Sequence, residues 1–115
     1  MVEDDPDILA QTLACFSAEP DFDCVGAYES AGRLIANMDQ IRPDVVLLSI
    51  GLPGQDGLSC LRQLKPLYPA VHFVLYTAHA SYLHEARAAG ASAYIVKPEL
   101  PADLIAGVRE VVRGA

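Results

Sequence analysis

Apolar runs of strand length alternate along this chain with stretches of helical period. Val45, Val46, Leu47 and Leu48 form a continuous apolar run, the mark of a strand covered on both faces, and Val71 to Tyr76 and Ala93 to Val96 read the same way. Phe22 to Ala27 reads as a shorter strand. Between these runs, apolar positions recur at spacings of three and four. Ile8, Leu9, Leu13 and Phe16 mark one face of a first helix over about Pro6 to Ala18, opened by Asp5 as N-cap and Pro6 at its first position. Ser30 caps a second helix with Leu34, Ile35 and Met38 inward, ended before Pro43. A third covers about Gly57 to Leu67 with Leu58, Leu61 and Leu64 inward, and an Ala-rich fourth runs from Tyr82 to Ala89 with Gly90 as its C′ residue. The last opens at Pro101 and carries Leu104, Ile105, Val108, Val111 and Val112. This alternation predicts an α/β domain with a parallel sheet, five strands and five helices.

The first strand is the exception. Only Met1 and Val2 precede the acidic turn, whereas a buried parallel strand takes about five residues. Either the protein starts several residues before this sequence, or the first strand is a stub whose neighbours keep unpaired edges. Such edges in a sheet centre are an aggregation hazard, which favours the first reading.

At 115 residues there is room for one core, and 52% hydrophobic against 20% charged residues excludes a disordered chain. Fifteen Asp and Glu outnumber eight Lys and Arg for a net charge of −7, which opposes any surface that would hold nucleic acid through its phosphates. No apolar run reaches the roughly 20 residues of a membrane span, and the start MVEDDPD is acidic where a signal peptide would be basic, so a cytoplasmic location is expected. Cys15, Cys24 and Cys60 are odd in number and in no metal-ligand spacing, and read as buried or half-buried reduced thiols. His72, His79 and His84 stand at no ligand spacing to a partner and read as surface or loop residues. Gly51, Gly54 and Gly57 meet neither the dinucleotide nor the P-loop spacing, and Asp56 reads as the cap of the third helix.

In doubly wound sheets, ligands bind beyond the carboxyl ends of the strands. Those ends carry Glu3, Asp4 and Asp5 after the first strand, Ser49 after the third, Thr77 after the fourth, and Lys97 with Pro98 after the fifth. Any one of these has an ordinary explanation: acidic residues cap a helix N-terminus, a threonine enters a helix, a lysine faces solvent. Together, carboxylates, a hydroxyl and an ammonium suit a hard divalent cation beside a phosphoryl group.

Over essentially its whole length the chain resembles the receiver domain of bacterial two-component response regulators. The resemblance rests on VEDDPDIL, PDVVLLSIGLPGQDGL, VLYTAHA and GASAYIVKPELPADL, in that order and spacing. It implies a flavodoxin-like doubly wound five-stranded parallel sheet of order 2-1-3-4-5 with five flanking helices, with residues 1–115 forming a single receiver domain. It also implies Mg²⁺ held by Asp4 directly, by Glu3 through water and by the carbonyl of Gly51. Thr77 would bond a phosphoryl oxygen, Lys97 would pair with its charge, and Tyr94 would be the aromatic switch; Tyr94 also reads simply as a core aromatic. Lys97-Pro98 is the peptide bond that is usually cis in the family. A sensor histidine kinase is the implied phosphoryl donor. The ending LIAGVREVVRGA is similar to receivers of LuxR-type regulators, in which a C-terminal helix-turn-helix output domain follows, and homodimerisation through the first and last helices is consistent with the apolar last helix.

One position departs from the family: Ser49 stands where the phospho-accepting aspartate is expected. A carboxylate is ionised at pH 7, whereas a serine hydroxyl needs a general base that no histidine is placed to supply. Its oxygen also sits about 1.5 Å nearer the backbone, out of line for transfer. Weakened Mg²⁺ binding is expected with one carboxylate fewer, and Lys97 must find another counter-ion, for which Asp4 is the candidate. The chain is therefore expected to be no enzyme but a signalling receiver in which aspartyl phosphorylation is blocked, naturally or by replacement, or a phosphorylation-independent interaction module. Flavin binding or phosphatase chemistry would need stacking aromatics or a nucleophilic Asp or Cys at the strand end, and neither is present.

Overall fold

The computed structural model describes residues 1–97 and 101–114. Three parallel strands, β1 (Val45–Leu48), β2 (His72–Thr77) and β3 (Ala93–Val96), lie side by side in that order. Register pairs Leu48 with Leu75 and Thr77 with Val96, so the carboxyl ends of all three strands gather at one edge. Five helices flank them: α1 (Pro6–Ser17), α2 (Ala31–Ile41), α3 (Gly57–Leu64), α4 (Leu83–Ala88) and α5 (Pro101–Gly114).

The capping chemistry expected from the sequence is present. Asp5 accepts from the backbone N–H of Asp7 (2.9 Å) and Ile8 (3.3 Å), Ser30 from Arg33 (3.4 Å) and Asp56 from Ser59 (2.8 Å), each satisfying donors that a helix start leaves free. Gly90 follows α4 at φ +98°, a left-handed conformation that glycine adopts without a Cβ clash.

Two apolar clusters sandwich the sheet. Phe73 and Leu75 pack with Leu34 and Met38 of α2 and Leu58, Leu61 and Leu64 of α3 on one face. Leu47, Val74 and Tyr76 pack with Leu104 and Val108 of α5, and with Phe16 of α1, on the other. The clusters alternate residue by residue along β1 and β2, as a pleat with both faces covered requires.

The five strands expected from the sequence are reduced to three among the described residues. Val2 forms isolated parallel bridges to Tyr28 and to Leu48, and Phe22 to Ala27 form no strand. The spatial order Tyr28, Val2, β1, β2, β3 is that of a 2-1-3-4-5 sheet, with its first two members shrunk to single residues. The cause is local. A strand one residue deep offers Phe22 to Ala27 no ladder to pair with, and α1 has little sheet beneath it, so that only Thr12 of that helix is buried. Smaller corrections concern α3, which stops at Leu64, His72, which lies within β2 and meets Ser92 Oγ through Nδ1 (3.1 Å), and Cys24, which is exposed. Cys15 is half-buried and Cys60 buried, all three being free thiols.

Candidate functional site

The short N-terminal segment is tied into the sheet from both sides. Val2 N–H donates to Leu47 O (2.8 Å) and Ser49 N–H to Val2 O (3.0 Å), while Glu3 N–H donates to Tyr28 O (3.0 Å). These bonds fix Glu3 beside Ser49 at the strand ends and bury both, at 2% and 6% exposure. On the opposite side Lys97 N–H donates to Thr77 O (2.7 Å), carrying the β2–β3 ladder one residue past β3.

The alternation of the pleat divides the constellation. Met1, Leu47, Tyr76 and Ile95 belong to the α1/α5 cluster, so Glu3, Ser49 and Lys97, each two residues on from Met1, Leu47 or Ile95, fall on that side. Thr77 and Tyr94 share the parity of Phe73 and Leu75 and fall on the α2/α3 side.

On the first side the Lys97 ammonium donates to Glu3 Oε1, forming an ion pair whose side chains are 14% and 3% exposed. It also lies 5.2 Å from the centroid of the Tyr76 ring, within cation–π range. The other oxygen of Glu3 accepts from Asp5 N–H (3.2 Å). The counter-ion of Lys97 is thus Glu3, not Asp4. Glu3 sits on the inward parity of the strand, whereas Asp4 is exposed. On the second side Thr77 is 1% exposed and its Oγ1 accepts from His79 N–H (3.2 Å), while Tyr94 Oη donates to His79 O. The backbone of His79 therefore links the hydroxyls of Thr77 and Tyr94. Burial pushes the Tyr94 phenol above its usual range, opposed by a hydrogen bond with the Tyr82 backbone and helped by the smaller charge effects of Tyr82 and Glu85.

Gly57, at the start of α3, closes the site from below. A Cβ placed there would lie 2.0 Å from Ser49 O, so α3 can approach the end of β1 this closely only because the residue is glycine.

Two features escape the sequence reading. His79 acts through its peptide groups, which leave no mark on residue type, and Tyr76 is hidden in an apolar run, although its parity with Lys97 was available as a signal. Gly51 is exposed in the turn after β1, and the Lys97-Pro98 bond lies outside the described residues. As a cation site the donors fall short. Among the described residues no group of three or more His, Cys, Asp or Glu side chains is placed to hold a metal, and the buried carboxylate of Glu3 is already bound to an ammonium.

The family model of the response regulator receiver domain matches residues 1–109. The chain belongs to the response regulator receiver domain family. This receiver is 31% identical over 114 residues to the transcriptional activator DevR/DosR of Mycobacterium tuberculosis, covering 96% of this chain and 52% of that protein. It is 33% identical over 99 residues to the transcriptional regulatory protein DegU of Brevibacillus brevis, covering 84% of this chain and 42% of that one. The receiver thus spans about half the length of the curated relatives it matches. Among solved structures it is similar to a CheY-like receiver domain from Methanospirillum hungatei, with TM-score 0.89 and 30% identity over 98% of this chain and 90% of that one. A LuxR-family response regulator from Aurantimonas gives TM-score 0.92 at 25% identity, over 98% of this chain and 82% of the other. The fold is accordingly the flavodoxin-like one of receivers, and no described helix is long and apolar enough to cross a membrane.

Proposed function

We propose that this receiver serves a transcriptional regulator of the LuxR class and that ordinary aspartyl phosphorylation is blocked in it, because Ser49 stands at the acceptor position. The reading is carried by Ser49 itself, buried at the end of β1 with Glu3 beside it and Lys97 turned to Glu3. Transfer to an aspartate uses an ionised carboxylate as the nucleophile, and a serine would first have to give its proton to a base. His79 and His84 are exposed, and His72 sits at the far end of β2, bonded to Ser92.

In this proposal Thr77 and Lys97 keep their places as phosphoryl-facing groups, Thr77 and Tyr94 form the switch, and Glu3, Asp4 and Gly51 are the remaining donors toward Mg²⁺, whose binding is weak. The partners are a sensor histidine kinase and a helix-turn-helix output domain that follows residues 1–115 in the full-length protein. A homodimer through α1 and α5 fits the exposure of Val112. The setting is cytoplasmic and the role is signalling, not catalysis.

A second reading, a phosphorylation-independent interaction module, is favoured by one observation. The ammonium and both switch hydroxyls are engaged from within the chain. Intact mass after treatment with acetyl phosphate and Mg²⁺ distinguishes the two. One added phosphoryl group on Ser49→Asp but not on the parent chain supports a receiver lacking only its nucleophile. No label on either form supports the interaction module, and label on the parent chain overturns the account of Ser49.

A further inference from the structure

Both oxygens of the Glu3 carboxylate are engaged from within the chain. Oε1 accepts from the Lys97 ammonium and Oε2 from Asp5 N–H (3.2 Å). At 3% side-chain exposure the carboxylate keeps its charge only beside a counter-ion, and Lys97 supplies it. The pairing follows from Ser49. Glu3, Ser49 and Lys97 share the α1/α5 side of the sheet, and Ser49 brings a neutral hydroxyl to it. Among the described residues Glu3 is the one buried carboxylate, so it is the one that the ammonium neutralises.

The ammonium is also tethered. Lys97 N–H donates to Thr77 O (2.7 Å), which sets its backbone on the β2–β3 ladder, and its Nζ lies 5.2 Å from the centroid of the Tyr76 ring. A charge held in this way meets Glu3 at an effective concentration that a free ion does not match. A divalent cation approaching the same carboxylate finds its ligand oxygen taken and a like charge beside it. The neighbouring acids do not replace Glu3. Asp4, Asp5 and Asp7 are all exposed, and Asp5 is spent on capping α1.

We propose that Lys97 is a built-in competitor for divalent cations: its ammonium, paired with the buried Glu3 carboxylate, takes the place of the cation there. The weakness of Mg²⁺ binding in this receiver is then set by that ion pair and not by the missing acceptor carboxylate alone. The proposal rests on the reading of Glu3 as a donor toward Mg²⁺ and names what regulates it. Ion pair and cation exclude each other on one carboxylate, so each weakens the other by the same factor. Lys97, at 14% side-chain exposure, has water and the Tyr76 face to turn to when it is displaced.

The test needs no phosphoryl donor. Mn²⁺ affinity by electron paramagnetic resonance, and the thermal midpoint with and without Mg²⁺, are measured on the parent, Lys97→Met, Glu3→Gln and the double variant. Lys97→Met should bind Mn²⁺ at least ten-fold more tightly than the parent, and Mg²⁺ should raise its midpoint while leaving the parent's unchanged. The double variant should show no such gain over Glu3→Gln. Equal affinity of the parent and Lys97→Met overturns the proposal. A gain that survives in the double variant assigns the cation to the exposed Asp4, Asp5 and Asp7 and overturns it as well. If Lys97→Met is unfolded by itself, refolding on addition of Mg²⁺ is the expected result, and failure to refold overturns the proposal. The two readings fail differently: no gain in Lys97→Met with binding lost in Glu3→Gln removes the competitor and keeps Glu3 as a donor, whereas no gain with Glu3→Gln unaltered removes both.

Discussion

The Lys97–Glu3 pair joins the two outermost elements of the site, and breaking it should be costly in a lopsided way. The Glu3 side chain is 3% exposed, and besides the ammonium it accepts from Asp5 N–H. Lys97→Met keeps the aliphatic stem, removes the charge and leaves a buried carboxylate uncompensated. Removing one partner of a buried pair costs about 3–5 kcal/mol, and the 14% exposure of Lys97 places this case near the lower end, about 3 kcal/mol. Glu3→Gln leaves the ammonium instead, but it keeps the Tyr76 face at 5.2 Å and some water, so a loss of about 2 kcal/mol is expected. With both replaced no buried charge remains. The double variant should lose about 2–3 kcal/mol, well short of the sum, for a coupling of about 2 kcal/mol. Urea unfolding of the parent, both single variants and the double variant measures these values. Additivity within about 0.5 kcal/mol would refute the claim that Lys97 and Glu3 neutralise each other in the fold.

Gly57→Ala should destabilise by about 3 kcal/mol, at the top of the range for overpacking, because the obstructing atom is the Ser49 carbonyl and not a side chain that can swing away; urea unfolding reads it directly. Arg109 grips Asp21 through two bonds of 2.8 Å each and holds that carboxyl below its usual range, chiefly by the hydrogen bond. A carboxyl depressed in the fold adds stability above its unfolded pKa, and this is lost as pH falls through the folded value; Arg109→Met should therefore flatten the decline in thermal midpoint below about pH 4. Burial, with a smaller push from Asp56, raises the Cys60 thiol to about 11. A disulfide reagent at pH 8 should label exposed Cys24 within minutes and Cys60 only at the rate of unfolding, and a chain whose Cys60 labels as fast as Cys24 would contradict the burial.

Local chemistry made much of this protein legible in its sequence. Asp5, Ser30 and Asp56 announce helix starts because a short oxygen-bearing side chain satisfies free N–H groups within three residues, a matter decided inside one turn. The apolar run at Val45 to Leu48 announces a strand because burial on both faces leaves no polar position, and Ala93 to Val96 shares that composition although it is only half-buried at the edge of the sheet. The strand ends follow from those runs, which is why Glu3, Ser49, Thr77 and Lys97 could be named before their geometry was known. Pairing across the chain is another matter. Phe22 to Ala27 has strand composition and yet forms none, because a strand needs a neighbour and Val2 supplies a single bridge. The choice of Glu3 over Asp4 as partner of Lys97 rests on which side of the pleat each faces, 94 residues from the lysine. The bond from His79 O to Tyr94 depends on a carbonyl that every residue possesses. Residue type therefore determined the elements and the chemical groups at their ends, while tertiary structure decided which of those groups meet, since burial and backbone direction are properties of the assembled sheet.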